Sequence, residues 1–596
     1  MANALEGRCV SLAEGEVGTG KTFAYLIACI VNNFFYPDDM RIRTSYAHSY
    51  HFTMKTNMPY VISTSSIELQ KALLTEYIPK LSQILLGEGL IEKPISAVLR
   101  KGKKNYLCMQ RLGKFLHTVK VSNKDDNEIA KLRASIGNTI DLDKIQDISP
   151  YNKRQICVSD CSTLCRFRKS CAYLSLLKSK QSPHYLFQIC NHNYLIADIT
   201  HRSKRIQPLL PNYRGIIVDE AHKFKSALRQ MHNVLFDFEE LKSHVQSIRS
   251  KDPAQTRLVN ITSFQIDRLN TQLSGKSTDA FRFDNQDRYI AKLLIASLND
   301  LNKVMPAIEL SDAASALDAL VRDEKLLCWY QKDDSNVLRA SSTEAEQLII
   351  KTLWSKTLPV ILTSGTLSID GNFDYFKSEL GMLKLGENRL STICERSPFN
   401  YADNCKVYIS EATHSPKADN EKYISSLVSE IEKLVNYSEG RTLVLFTSYK
   451  VMHQVHAVIQ HTISYPIVLA SRGSRDAVER FKDTKQGVLF STNAWEGIDI
   501  QGDKLTSVII VKLPFLVPSV LSNEVKKHYA KPADYLNQII IPNMQIKLKQ
   551  GMGRLIRHED DKGMISILDS RARHAGPYEH HVRAVLPNCP TISNLV

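Results

Sequence analysis

No apolar run in this 596-residue chain approaches the roughly 18 residues that would suggest a membrane span. Residues 23–31 form an apolar stretch that is far too short. Met1-Ala2-Asn3-Ala4-Leu5-Glu6 has neither a basic n-region nor an apolar h-region, which argues against a secretory signal and for a cytoplasmic protein without a membrane partner. The cysteine-rich part lacks the C-x2-C pairs usual in zinc ribbons. Acidic charge is short: 62 Asp and Glu face 77 Lys and Arg, a net charge of +15, so the surface field favours polyanions such as nucleic acid. At about 150 residues per domain, the length suggests about three or four domains.

Near the start stands Gly15-Glu16-Val17-Gly18-Thr19-Gly20-Lys21-Thr22, a G-x-x-x-x-G-K-T phosphate loop. A short apolar strand is expected at 9–13 before it and an apolar helix at 23–31 after it. Gly15, Gly18 and Gly20 let successive N–H groups, that of Thr19 among them, turn toward one anion at the positive end of the helix. Lys21 reaches the β- and γ-phosphates, and the Thr22 hydroxyl holds Mg²⁺. A second half of the same site is expected where the strand Gly215-Ile216-Ile217-Val218 runs into Asp219-Glu220-Ala221-His222. Asp219 can hold Mg²⁺ through water, and Glu220 is placed to polarise the attacking water.

Between these halves the rhythm changes. Residues 37–58 read as a surface insertion, 60–64 as a buried strand and 67–77 as an amphipathic helix, which suggests a parallel α/β sheet. Then comes a basic stretch ending in Cys108, followed by Cys157-x3-Cys161-x3-Cys165-x5-Cys171. In a reducing compartment such clustering points to a metal or cluster site rather than disulfides. Four thiolates can hold a four-iron cluster or one zinc, or be structural thiols. Spacing leaves open which of Cys157 and Cys161 is a ligand.

Residues 223–350 read as helical and polar, with Leu294, Leu298, Leu301 and Met305 on one helix face. A buried strand at 358–362 leads to Thr363-Ser364-Gly365-Thr366-Leu367. Residues 397–403 read as a linker near the main domain boundary. The last third is a second α/β run, with strands expected at 442–446, 465–469, 487–490, 507–511 and 563–568. It holds no second phosphate loop. It does hold Trp495-Glu496-Gly497-Ile498-Asp499 and Gln550-Gly551-Met552-Gly553-Arg554-Leu555-Ile556-Arg557. Arginines at i and i+3 of a helix can meet a phosphate together and act as fingers from a second domain; alone, such a pair reads as a surface salt-bridge face.

Taken together, these motifs resemble the superfamily 2 helicases with an iron–sulfur domain, the XPD/DinG group, and bacterial DinG in particular. The resemblance covers nearly the whole chain, with Asp219-Glu220-Ala221-His222 as the DEAH box, Ser364 and Thr366 in motif III, Glu496, Gly497 and Asp499 in motif V, and Gln550, Arg554 and Arg557 in motif VI. Asn191-His192-Asn193-Tyr194-Leu195, Ser397-Pro398-Phe399 and Leu513-Pro514-Phe515 resemble further family signatures. It implies an α/β fold of two RecA-like motor domains with an inserted iron–sulfur domain and an inserted helical arch. The corresponding segments are 1–95, 191–225 and 351–400 for the first motor, 96–190 for the cluster domain, 226–350 for the arch and 401–596 for the second motor. It also implies that Cys108, Cys161, Cys165 and Cys171 bind a [4Fe–4S] cluster, leaving Cys157 spare and Cys190 a buried thiol. The expected activity is ATP- and Mg²⁺-dependent 5′→3′ translocation on single-stranded and forked DNA by a monomer. An alternative is an accessory DinG-like ATPase beside a plasmid or CRISPR RNA-guided complex.

Four departures stand out. The Arg- and Gln-bearing segment that recognises adenine in the family has no counterpart before the loop, nor is there room for an exonuclease domain. Val17 replaces the frequent Thr or Ser, and Gly365 the usual Ala.

Overall fold

The computed structural model describes all residues except 8, 36–57, 122–129, 131, 133–138, 146–147, 160, 162–164, 182–183, 232, 277–279, 333–335, 343–346, 348–349, 355–357, 417–419, 471–475, 497–499, 501 and 593–596. The insertion expected at 37–58 lies almost wholly outside the described residues. The chain divides into two compact units, one of residues 1–35, 219–222 and 359–596, the other of residues 36–218 and 223–358.

Strands follow the chain as β1 (Val10–Gly15), β2 (Tyr60–Thr64), β3 (Ala97–Leu99), β4 (Phe187–Cys190), β5 (Gly215–Asp219), β6 (Val234–Asp237), β7 (Leu327–Lys332), β8 (Asn336–Ser341), β9 (Val360–Ser364) and β10 (Leu390–Glu395). They continue as β11 (Cys405–Ile409), β12 (Thr442–Leu445), β13 (Ile467–Ala470), β14 (Val488–Ser491), β15 (Ser507–Ile510), β16 (Gly563–Ile567) and β17 (Thr591–Ile592).

In the first unit β1 pairs in parallel with β10 on one side and β9 on the other, Ala13 opposite Ile393 and Thr363. The fully buried β1 carries Val10, Leu12 and Ala13 around one buried serine, Ser11, before it reaches Glu14. The same unit holds a seven-stranded sheet in the order β13-β14-β12-β15-β16-β11-β17, parallel throughout. Alternate residues of its strands enter opposite cores, as a period of two requires. Leu443, Leu445, Val508 and Ile510 pack with the helix Ile541–Met552 on one side; Val444, Phe446 and Ile509 pack with the helices Asn420–Tyr437 and Tyr449–Ile459 on the other.

In the second unit β3 and β2 flank β4 in parallel. The helix expected at 67–77 runs on through a π-turn to Gly87. A small core of Leu107, Leu112, Leu132, Leu142, Ile145, Ile156 and Cys157 supports the cysteine-rich part. The long helices Pro253–Ser274, Asn285–Val304 and Ile308–Arg322 form another core, where Leu294, Leu298 and Leu301 are fully buried as their spacing predicts. Met305 packs at its margin. This region is not wholly helical: β6, β8 and β7 form an antiparallel sheet against it, because Phe236, Tyr330, Leu338 and Ala340 supply an apolar face that helix periodicity does not detect.

Candidate nucleotide-hydrolysis site

The phosphate loop joins β1 to the helix Lys21–Phe35, the arrangement the spacing predicts. Gly18 has φ +88° and Gly20 φ +69°, where L side chains are strained. A Cβ on Gly18 would lie 2.5 Å from the Phe399 ring, and one on Gly15 2.7 Å from both the Lys21 stem and the Thr19 hydroxyl. The loop closes on itself: Thr19 Oγ1 donates to Glu16 O at 2.8 Å, and Lys21 Nζ donates to Gly15 O. Burial depresses the Lys21 ammonium, against the pull of Glu220 and Asp219 and together with the push of Arg557. Lys21 therefore sits among both acids and one of the two arginines. At Gly365 an added Cβ would make ordinary contacts, 3.7 Å from Lys21 Nζ, so Gly there in place of Ala leaves the site intact.

Asp219 is buried at the end of β5, accepting from Tyr25 OH at 3.2 Å and from the Glu220 N–H at 2.9 Å. Burial, then the neighbouring Glu220 charge, raises its carboxyl to about 7. Tyr25 also hydrogen-bonds the Thr22 side chain. Thr22 and Asp219 offer hydroxyl and carboxylate oxygens, the donors that suit Mg²⁺. Glu220 has φ +53°, a left-handed conformation that costs a non-glycine residue about 1–3 kcal/mol and clusters at functional sites. Its carboxylate accepts from the Ser364 hydroxyl at 3.3 Å. His222 joins them, with Nδ1 2.7 Å from Ser364 Oγ and Nε2 3.5 Å from Glu496. The DEAH box, motif III and motif V thus meet in one polar cluster. Gly497 and Asp499 lie outside the described residues.

Gln550 is buried near the end of the helix Ile541–Met552 and donates to Thr366 Oγ1 at 3.1 Å. Arg554 and Arg557 do not share a helix face, contrary to the i, i+3 expectation. The helix stops at Met552, where flanking glycines weaken it, and both arginines occupy the following turn and loop. Arg554 Nε returns to Gln550 O at 3.3 Å, and the Arg557 N–H is fixed by Asp561 at 2.8 Å.

Sequence reasoning missed three partners. Glu14, fully buried, accepts from the backbone N–H groups of Leu367 and Ser368. Lys549 lies 2.7 Å from Glu14 and 2.9 Å from Glu16. Residues 397–403, read as a linker, instead brace the loop: the Ser397 N–H donates to Glu16 at 3.0 Å and its hydroxyl to Val17 O at 2.8 Å. The Ser-Pro-Phe signature was the available signal.

A family model described as the helicase C-terminal domain matches residues 431–589. Over 96% of this chain and 89% of the other protein, the sequence is 26% identical to the ATP-dependent DNA helicase YoaA of Haemophilus influenzae. It is 25% identical to the ATP-dependent helicase DinG of Mycobacterium tuberculosis over 98% of this chain and 91% of that protein. It is 24% identical to the 3′-5′ exonuclease DinG of Bacillus subtilis over all of this chain and 69% of that protein. A solved XPD helicase structure superposes with a TM-score of 0.60 over 99% of this chain and 97% of the other, at 15% identity. Over nearly its whole length the chain is thus similar to helicases of the XPD/DinG group.

Cys108, Cys161, Cys165 and Cys171 lie near one another. Burial first, then the charges of Cys108, Cys171 and Cys165, raise the Cys161 thiol, so the four sulfurs share one neighbourhood. Cys161 is exposed and the other three half-buried. Four thiols of this kind fit an iron–sulfur cluster as a donor set. Cys157 is instead buried, with Sγ donating to Arg154 O at 3.4 Å. Cys190 is fully buried in β4, and burial pushes its thiol up to about 12. Among the described residues, no helix is long and apolar enough to cross a membrane.

Proposed function

We propose that this chain is an ATP-dependent DNA helicase that loads on single-stranded DNA and moves 5′→3′. The observation that carries the reading is the convergence of Lys21, Asp219, Glu220, Ser364 and Arg557 in one site, together with relatives named as ATP-dependent helicases over nearly the full chain. Lys21 and the loop amides hold the β- and γ-phosphates, Thr22 and Asp219 hold Mg²⁺, Glu220 orients the attacking water, and Arg557 with Arg554 meets the γ-phosphate. Mg²⁺ neutralises charge on the phosphates. Gln550 and Thr366 link the γ-phosphate side to motif III, so hydrolysis is felt by the chain that grips DNA. Separating a base pair costs about 1.4 kcal/mol of stacking, well within one ATP.

Residues 96–190 form the cluster domain in this reading, with Cys108, Cys161, Cys165 and Cys171 holding [4Fe–4S]; residues 226–350 form the arch, flanked by motors at 1–95, 191–225 and 351–400, and at 401–596. One chain supplies both halves of the site, so the reading needs no second copy. The accessory reading beside an RNA-guided complex is not favoured, since relatives named as helicases match nearly end to end. The test is unwinding by anaerobically purified protein, with ATP and Mg²⁺, of matched duplexes bearing a 5′ or a 3′ single-stranded tail. Activity confined to the 5′ tail is expected. Unwinding from the 3′ tail alone overturns the polarity, and DNA-stimulated hydrolysis without unwinding overturns the helicase.

A further inference from the structure

An acidic side chain inside a phosphate loop works against the loop's own purpose. Glu16 follows the first glycine of the motif, and its carboxylate stands a few residues from the amides that receive polyphosphate. Like charges a few residues apart in a partly buried loop still repel across such a distance. An uncompensated Glu16 is therefore a standing penalty on nucleotide binding.

The structure compensates it chiefly through Lys549. Lys549 Nζ lies 2.9 Å from Glu16 and 2.7 Å from the fully buried Glu14. The Glu16 carboxyl is held below its ordinary value: burial alone would raise it, but the Lys549 charge, the Ser397 N–H and the exposed Arg396 outweigh burial. Lys549 itself is held up by Glu14 and Glu16 against its own burial. It is carried by the helix Ile541–Met552, adjacent to Gln550, and this helix leads into Arg554 and Arg557. The element that presents the finger arginines also carries the countercharge that masks Glu16. Glu14 needs Lys549 less, because Leu367 and Ser368 also donate to it.

We propose that Glu16 and Lys549 form an electrostatic release switch for nucleotide. With the helix docked, Lys549 masks Glu16 and the loop accepts ATP. When the helix withdraws after hydrolysis, Glu16 loses its nearest countercharge, keeps only the Ser397 N–H and the exposed Arg396, and repels the product diphosphate. The inference rests on the ATPase reading above, and its signature is one of sign. Glu16→Gln leaves an extra positive charge and should tighten ADP binding about fivefold and slow ADP release by a similar factor. Lys549→Met removes the nearest countercharge of Glu16 and should weaken ADP binding about tenfold, equal to about 1.4 kcal/mol. The double variant Glu16→Gln/Lys549→Met restores the wild-type charge of the cluster and should return close to wild-type affinity.

The experiment is equilibrium and stopped-flow binding of a fluorescent ADP to the full chain in Mg²⁺ at low salt, without DNA. Lys549→Arg is included as the charge-keeping variant and should behave as wild type. Opposite shifts in the two single variants that cancel in the double variant establish the switch. Shifts of the same sign, or a double variant weaker than either single, overturn it in favour of a merely structural pair. ADP binding that survives Lys21→Ala overturns the nucleotide site itself, which separates failure of the ATPase reading from failure of the switch.

Discussion

Gly18 carries two constraints at once. Its φ of +88° strains any L side chain, and an added Cβ would enter the Phe399 ring. Gly18→Ala should cut kcat/KM for ATP about a hundredfold, the cost of displacing the loop by about 1 Å. Combining it with Phe399→Ala removes the clash but not the strain, so hydrolysis should recover only in part; full recovery in a steady-state ATPase assay would show that the φ constraint is idle. Asp219 gives a prediction in pH. Its folded carboxyl is raised to about 7 from an ordinary value near 3.8. Between those values the folded state binds more protons than the unfolded state, so this group makes stability fall as pH rises through the window. In Mg²⁺-free buffer the melting temperature of wild type should decline relative to Asp219→Asn between pH 4 and pH 7. Saturating Mg²⁺ should flatten the difference by favouring the ionised carboxylate.

The helix Ile541–Met552 is the element through which motif VI reaches its partners, and Gly551 sets how closely it packs. A Cβ there would lie 2.8 Å from Trp495 and 3.1 Å from Leu445. Trp495 is itself fixed by Nε1 donating to Phe446 O at 3.0 Å. Gly551→Ala should therefore cost about 1–3 kcal/mol of stability by overpacking, read by denaturant unfolding, and it should redden the buried Trp495 emission. Elements of this kind show what was legible in the sequence. Strand β2 was read to the residue because all five of its side chains are buried between turn-forming neighbours. The short strands β3 and β17 and the partly exposed β10 were missed, because brief or exposed strands carry little apolar pattern. The loop, the DEAH acids and motif VI were legible because phosphate chemistry needs fixed residue types at fixed spacing. Lys549 was not, since its acids lie more than 500 positions away in the chain and a lone lysine has no local signature. Arg554 and Arg557 were singled out but misplaced on a helix: glycines on both sides of Met552 end it before Arg554.

At the scale of the molecule, the cysteine quartet and the hydrolysis site fall in different compact units, so damage to one should be separable from damage to the other. Arg557 lies close enough to Lys21 to depress its ammonium. Arg557→Ala should therefore remove transition-state stabilisation and lower hydrolysis by about 10³ or more, while the visible absorption of a bound cluster stays unchanged. Cys161→Ser should do the reverse, because an iron–sulfur cluster that loses a thiolate loses its absorption. Lys21, Asp219, Glu220 and Arg557 are untouched by that change, so basal ATP hydrolysis should persist within about a factor of two to three while unwinding of a 5′-tailed duplex fails. The pair is decisive as a pair. If Cys161→Ser abolished basal hydrolysis together with unwinding, the quartet would be a prop for the whole fold rather than part of the DNA path. If it left both colour and unwinding unchanged, Cys161 would not be a ligand at all. Absorbance, ATPase rate and gel-based unwinding on the same two preparations distinguish these outcomes.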